Sequence, residues 1–203
     1  MLRPTSVLFA ASVCGFFLVP APLPAQNPEA APPTPGPWSI EELRDPPEVT
    51  WLKRDGRLRQ LLYAGEIYQG RPTQVFAYYA LPMTNIKKAP AMVLVHGGGG
   101  KAFAEWANLW AQRGYVAIAM DLAGRGPDRE RLSDGGPDQR EEDKFQSIAG
   151  GLLDTWTNHA VANVIRAVSL LSAQPEVDPD RIGITGISWG GYLTSLVSGL
   201  DHR

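Results

Sequence analysis

The run Arg181-Ile182-Gly183-Ile184-Thr185-Gly186-Ile187-Ser188-Trp189-Gly190-Gly191-Tyr192 decides the reading of this chain. A short β-branched stretch ends in Gly-x-Ser-x-Gly, and helix-compatible residues continue from Tyr192 to Leu200. That order predicts a strand, a sharp turn with a serine at its tip, and a helix leaving it, the arrangement of a nucleophile elbow. A serine held in strained backbone leaves no room for side chains two positions either side, which accounts for Gly186 and Gly190. The same turn puts the Trp189 amide at a helix N-terminus, where it can donate to a developing oxyanion.

Working upstream, Ala91-Met92-Val93-Leu94-Val95 is a short apolar run, as expected of a strand buried on both faces of a parallel sheet. His96 and Gly97-Gly98-Gly99-Gly100 follow it. Residues 102–113 carry Phe103, Trp106 and Trp110 at helical spacing and end at Gly114, a C-terminal cap. Val116–Met120 is a second buried strand, closing at Asp121. Strand, glycine turn, helix and strand make a βαβ unit.

The glycine run admits two readings. In the first, amides of Gly97, Gly98 and Gly99 supply the second half of an oxyanion hole, and His96 braces the loop by a side-chain hydrogen bond. In the second, Gly97 to Ala102 is a G-x-G-x-x-A dinucleotide fingerprint with Asp121 at the end of the next strand. A preceding hairpin and an unexplained serine elbow count against the second. A P-loop fails, because Ala102 stands where Ser or Thr is required.

Leu58–Tyr68 and Thr73–Leu81 read as two strands joined by a Gly/Pro turn, an antiparallel hairpin at the edge of the sheet. Residues 122–153 form a Gly-, Asp-, Arg- and Pro-rich stretch too long for an ordinary connection, and are expected to border the site. Asp154 is placed to cap a helix over 155–173, with Val161, Val164, Ile165, Val168 and Leu171 as its apolar stripe. Trp106, Trp110 and Trp156 belong to the core, while Trp189 lines the pocket. His159 is read as a structural residue of its helix. His202 lies past a helix that rises about 15 Å, too far from Ser188 for a base. Asp128, Asp134, Asp138, Glu141, Glu142 and Asp143 lack EF-hand spacing and read as a solvated loop, so neither a metal nor a cofactor is expected.

The 203 residues suit one domain with appendages, and 44% hydrophobic with 20% charged residues is an ordinary globular balance. A net charge of −2 and a pI near 5.9 offer nothing to nucleic acid or an anionic membrane. Residues 1–25 read as a signal peptide: Arg3, an apolar run from Val7 to Val19, and Leu23-Pro24-Ala25 before Gln26. The expected address is secreted or periplasmic, with no stable membrane span after cleavage. Residues 26–50 read as a Pro/Ala-rich linker and 51–203 as the domain proper. Cys14, the single cysteine, lies in the signal, so disulfides and cysteine-ligated metals are excluded from the mature chain.

With the His96–Gly100 loop, Met120-Asp121 and Gly186–Tyr192 in hand, the chain resembles the α/β-hydrolase superfamily. Within it the likeness is to secreted bacterial acetyl xylan esterase, dienelactone hydrolase and prolyl oligopeptidase groups. Ser188 departs from the cysteine of dienelactone hydrolases, and there is no room for an oligopeptidase propeller. The resemblance implies a three-layer α/β-hydrolase fold, with a mostly parallel sheet and an N-terminal antiparallel hairpin. It implies a serine esterase acting on small-molecule or carbohydrate esters through an acyl-enzyme on Ser188. A serine peptidase and a non-catalytic binding protein of the same fold are the alternatives.

That fold places its acid and histidine after the serine. Residues 189–203 offer only Asp201 and His202, at the far end of a helix, so the triad is expected to be incomplete and the fold truncated after the elbow helix. The elbow strand is then expected to expose a sheet edge and to favour self-association.

Overall fold

The computed structural model describes residues 36–83, 87–140 and 142–203. The expected signal peptide and residues 26–35 of the expected linker lie outside them. Six strands, β1 (Val49–Lys53), β2 (Leu58–Ala64), β3 (Gln74–Ala80), β4 (Ala89–Val95), β5 (Val116–Met120) and β6 (Val177–Gly186), form one sheet. Their order is β1-β2-β3-β5-β4-β6. β4 pairs in parallel with β5 and β6, and the remaining neighbours are antiparallel. Among the described residues four α-helices accompany them: α1 (Ile40–Leu43), α2 (Ala104–Gln112), α3 (Trp156–Ser172) and α4 (Trp189–Leu200).

The two-residue period of the strands sorts their side chains into two layers. Val116, Ile118 and Met120 of β5 join the large core with α3 and α4, whereas Ala117 and Ala119 face the smaller core beneath α2. The size difference is complementary. Trp106 and Trp110 of α2 pack over the alanine face, and branched residues fill the opposite face. Val161, Val164, Ile165, Val168 and Leu171 of α3 are all buried. Helices on both faces of a mixed sheet give the three-layer α/β architecture.

Four local expectations need correcting. The hairpin β2–β3 is not at the sheet edge, because β1 adds outside it. β1 escapes sequence detection because only Val49 and Trp51 are partly covered, Trp51 by an edge-on contact with Tyr79 at 5.6 Å. The packed unit also begins before residue 51. Leu43 is buried, the Trp38 indole donates to the Asn158 carbonyl at 3.0 Å, and Ser169 Oγ donates to Leu43 O at 2.7 Å. A few anchoring side chains among prolines suffice, and averaged composition hides them.

The cap of α3 is Thr155, whose hydroxyl accepts from Asn158 N at 3.3 Å, while Asp154 accepts from Gln69 N at 3.0 Å. Thr155 sits one residue nearer the first free amides. Finally, β6 starts at Val177, four residues ahead of the Arg181 with which the elbow run opens, and Asp178-Pro179-Asp180 form an irregularity inside it. Ala89 pairs with Val177, and Ala91 already pairs with Ile182.

β6 is the last strand of the sheet, and its far side has no partner among the described residues. Ile182 and Ile184 remain only half-buried there. No described helix is long and apolar enough to cross a membrane.

Candidate active site

Ser188 stands between β6 and α4 with φ 55° and ψ −118°, a conformation L-residues rarely adopt. Its neighbours hold it there. Ile187 N donates to Val95 O at 3.3 Å, Gly190 N to Ile187 O at 2.8 Å, and Tyr192 N to Ser188 O at 3.1 Å. The flanking glycines are required by space. A Cβ on Gly186 would overlap the Gly190 carbonyl, and one on Gly190 would overlap the Val95 carbonyl oxygen. The Ser188 side chain is exposed and its hydroxyl is engaged in no hydrogen bond.

The glycine loop after β4 lies directly against this turn. A Cβ on Gly97 would meet Ile187 O at 2.9 Å and Ser188 Cβ at 3.3 Å, and one on Gly98 would meet the Trp189 ring at 2.8 Å. The amides of Gly97, Gly98 and Trp189 donate to no acceptor among the described residues. Free backbone donors beside an exposed hydroxyl suit an oxygen that gains negative charge. Gly99 differs from the sequence expectation. Its amide donates to Gln139 Oε1 at 3.0 Å, so it is not available to a substrate oxygen. Gln139 reaches it from the long 122–153 segment, a contact across 40 residues that no local pattern announces.

His96 ties the loop to the end of β5. Nδ1 donates to Gly97 O at 2.8 Å, and Nε2 accepts from Leu122 N at 2.8 Å, an assignment that follows from the two partners. An amide proton pointing at Nε2 leaves no place for a second ring proton. Burial likewise pushes the His96 pKa below its usual value. Asp121 beside it is buried, and its Oδ1 accepts from the Ala123 and Arg125 amides at 2.8 Å each. Its carboxyl is raised by burial. Asp121 therefore caps the turn after β5 through Oδ1, and Oδ2, though unpartnered, is buried away from any ribose, which counts against the dinucleotide reading.

His159 is buried under the edge of Tyr68, ring centroids 5.4 Å apart, and its pKa is also lowered by burial, against the opposing pull of Glu66 and Asp154. Two imidazoles kept neutral in the fold make stability pH-dependent. The unfolded chain takes up their protons near the ordinary histidine value of about 6.5, so folding is favoured above it and loses stability as pH falls through it. The melting temperature is expected to fall between pH 7.5 and 5.5, by about 2–4 °C for each kcal/mol lost. His159→Gln should flatten the slope. A melting temperature that rises over this range would refute the neutral assignment.

Ser188 borders two cavities. One, of about 590 Å³, is lined by Lys144, Phe145, Ile148, Thr157, Trp189 and Tyr192 in addition to the serine. Trp189 is its centre, edge-on to Trp156 at 5.6 Å and Tyr192 at 5.5 Å, with Lys144 Nζ 5.1 Å from its ring. Lys144 and Phe145 belong to a single π-helical turn, Glu142–Gln146, within the long segment. The other cavity, of about 380 Å³, lies along Gly97 to Gly100, Phe103, Trp106 and Arg129.

No histidine hydrogen-bonds the Ser188 hydroxyl. His96 is braced, His159 is buried in the packing of α3, and His202 is exposed past the end of α4. Asp201 is held by Arg203 at 2.7 Å. Asp138 and Asp143 of the acidic loop pair with Arg125 and Arg140.

The acetyl xylan esterase (AXE1) family model matches residues 44–203. Acetyl esterase Axe7A of Xylanibacter ruminicola is 23% identical over 157 residues, which cover 70% of this chain and 33% of that protein. Among solved structures, the acetyl xylan esterase of Paenibacillus sp. R4 superposes with a TM-score of 0.60 at 26% identity, over 81% of this chain and 54% of that one. Acetyl xylan esterase 1 of Thermoanaerobacterium sp. JW/SL YS485 gives a TM-score of 0.61 at 19% identity, over 79% and 54%. Both share the α/β-hydrolase fold. The chain spans about a third of the curated relative and about half of each solved esterase.

Proposed function

This chain belongs to the acetyl xylan esterase family, and from that premise we propose that it carries the nucleophile and oxyanion site of a carboxylic ester hydrolase. The observation that carries the reading is Ser188 itself: a strained, exposed hydroxyl between two cavities, beside three amides without acceptors. Ser188 Oγ attacks the ester carbonyl, and the carbonyl oxygen takes the negative charge. The Trp189 amide and the amide of Gly97 or Gly98 receive that oxygen. Collapse expels the alcohol and leaves an acyl group on Oγ, which water then removes. The serine proton needs an acceptor. None of the described histidines lies against Ser188, so the acceptor that this step requires is not among them.

The family's description points to acetyl groups on carbohydrate as the substrate class. No cofactor or metal enters these steps. The N-terminal sequence supports export, and a mature N-terminus at Gln26 would establish it.

A serine-directed fluorophosphonate, applied to a form of the protein that contains the proton acceptor, tests the chemistry. The label should map to the peptide that contains Ser188, and a label carried by any other serine would remove the assignment. The unpartnered side of β6 supports self-association of this chain. Sedimentation should show a concentration-dependent mass, and a monomer at every concentration would end that expectation.

A further inference from the structure

A third cavity, of about 280 Å³, is lined by Arg125, Arg129, Arg140, Asp138 and Gln139 with Gly99 and Gly100. Three guanidinium groups meet there. Asp138 answers two of them, Arg125 at 2.7 Å and Arg140 at 3.7 Å, and Asp143 takes Arg140 at 3.5 Å. Arg129 has no carboxylate partner among the described residues. Its Nη2 donates only to Gly99 O, at 3.3 Å.

Arg129 is also one of three non-glycine residues with positive φ among the described residues, at 66°. The turn that imposes this conformation is closed by Arg129 N to Gly126 O at 3.1 Å and Gly126 N to Glu130 O at 2.9 Å. Backbone strain is thus spent on bringing an unpaired guanidinium to the glycine loop. The same arginine, with Gly99 and Gly100, lines the cavity that reaches Ser188. The two spaces therefore share a wall, and one ligand can touch both.

We propose that the Arg125–Arg129–Arg140 cavity is a carboxylate subsite that binds the acid group of a uronic-acid-bearing ester. The proposal rests on the reading of Ser188 as nucleophile for its link to catalysis, but not for binding. A guanidinium fork recognises a planar carboxylate through paired N–H donors. With Asp138 in the cavity and Asp143 on Arg140, about one positive charge is left over. That balance favours a monoanion over a dianionic phosphate.

The test uses the chain as it is, isotopically labelled for NMR, with D-glucuronate, D-glucose and inorganic phosphate as probes. Glucuronate should shift the Gly99, Gly100 and Ala123 amides saturably, at least ten-fold more tightly than glucose and more tightly than phosphate. Arg129→Gln should weaken glucuronate at least five-fold. Arg113→Gln, which alters an arginine stacked on Trp110 away from the cavity, should not. Equal affinity for glucose, tighter phosphate, shifts elsewhere, or undiminished binding by the Arg129 variant would each overturn the proposal. Should that variant not fold, the three titrations of the parent chain decide alone. Glucuronate is not an ester. Binding by this chain without labelling at Ser188 in a form that contains the proton acceptor would sink the esterase reading and leave the subsite, and labelling without binding the reverse.

Discussion

In a form of the protein that contains the proton acceptor, Ser188→Ala is expected to abolish fluorophosphonate labelling and to lower hydrolysis of 4-nitrophenyl acetate in kcat on the order of 10³-fold or more. Its melting temperature should stay within about 2 °C of the parent, since a surface change of this kind costs about 0.5 kcal/mol or less. Both halves follow from the geometry. The hydroxyl makes no hydrogen bond, so its removal leaves no buried partner unsatisfied. Alanine inherits the positive φ at the same steric cost as serine, so the strain of the turn is unchanged. The variant therefore isolates the chemistry from the fold. Hydrolysis that persists at the parental rate would show that the nucleophile lies elsewhere.

Gly190→Ala is expected to do the opposite damage. The new methyl would overlap the Val95 carbonyl oxygen and stand 2.8 Å from the His96 oxygen, and both obstacles are backbone. Neither can rotate away. α4 must withdraw from the end of β4, and Ser188 then loses its register with Gly97. A loss of about 3 kcal/mol or more is expected, or about 6–12 °C of melting temperature. Gly199→Ala in the same helix is the matched control. A Cβ there meets nothing within 4 Å, so the exchange should be neutral or stabilising by about 0.5–1 kcal/mol. Equal melting of the two variants would contradict the close approach of the elbow to β4.

Much of this arrangement was legible in the sequence because its causes are local. β-Branched runs between turn residues mark β4 and β5, and the spacing of Gly186, Ser188 and Gly190 marks the elbow. His96 closes β4, so its bracing role follows from position, whereas Asp121 was legible only as the end of β5 and not as the acceptor of two loop amides. The acetyl xylan esterase likeness rests on these same motifs, and the family match narrows it from three groups to one.

What escaped has causes far apart in the chain. The engagement of Gly99 depends on Gln139, and the Ser188 cavity takes Lys144 and Phe145 from a single turn. β1 is only five residues long and half-exposed, so neither alternation nor composition sets it apart. Sheet order likewise comes from pairings such as β3 with β5, which leave no trace in either strand alone.

Leu43 and Trp38, fastened to α3 by hydrogen bonds across 126 and 120 residues, impose an order of assembly. Contacts of such separation raise the contact order and slow the search for the native pairing. A chain emerging from the ribosome must release its opening residues unfastened and wait until α3 has been synthesised. Until then the leading segment is the part of the polypeptide most accessible to a chaperone or a protease.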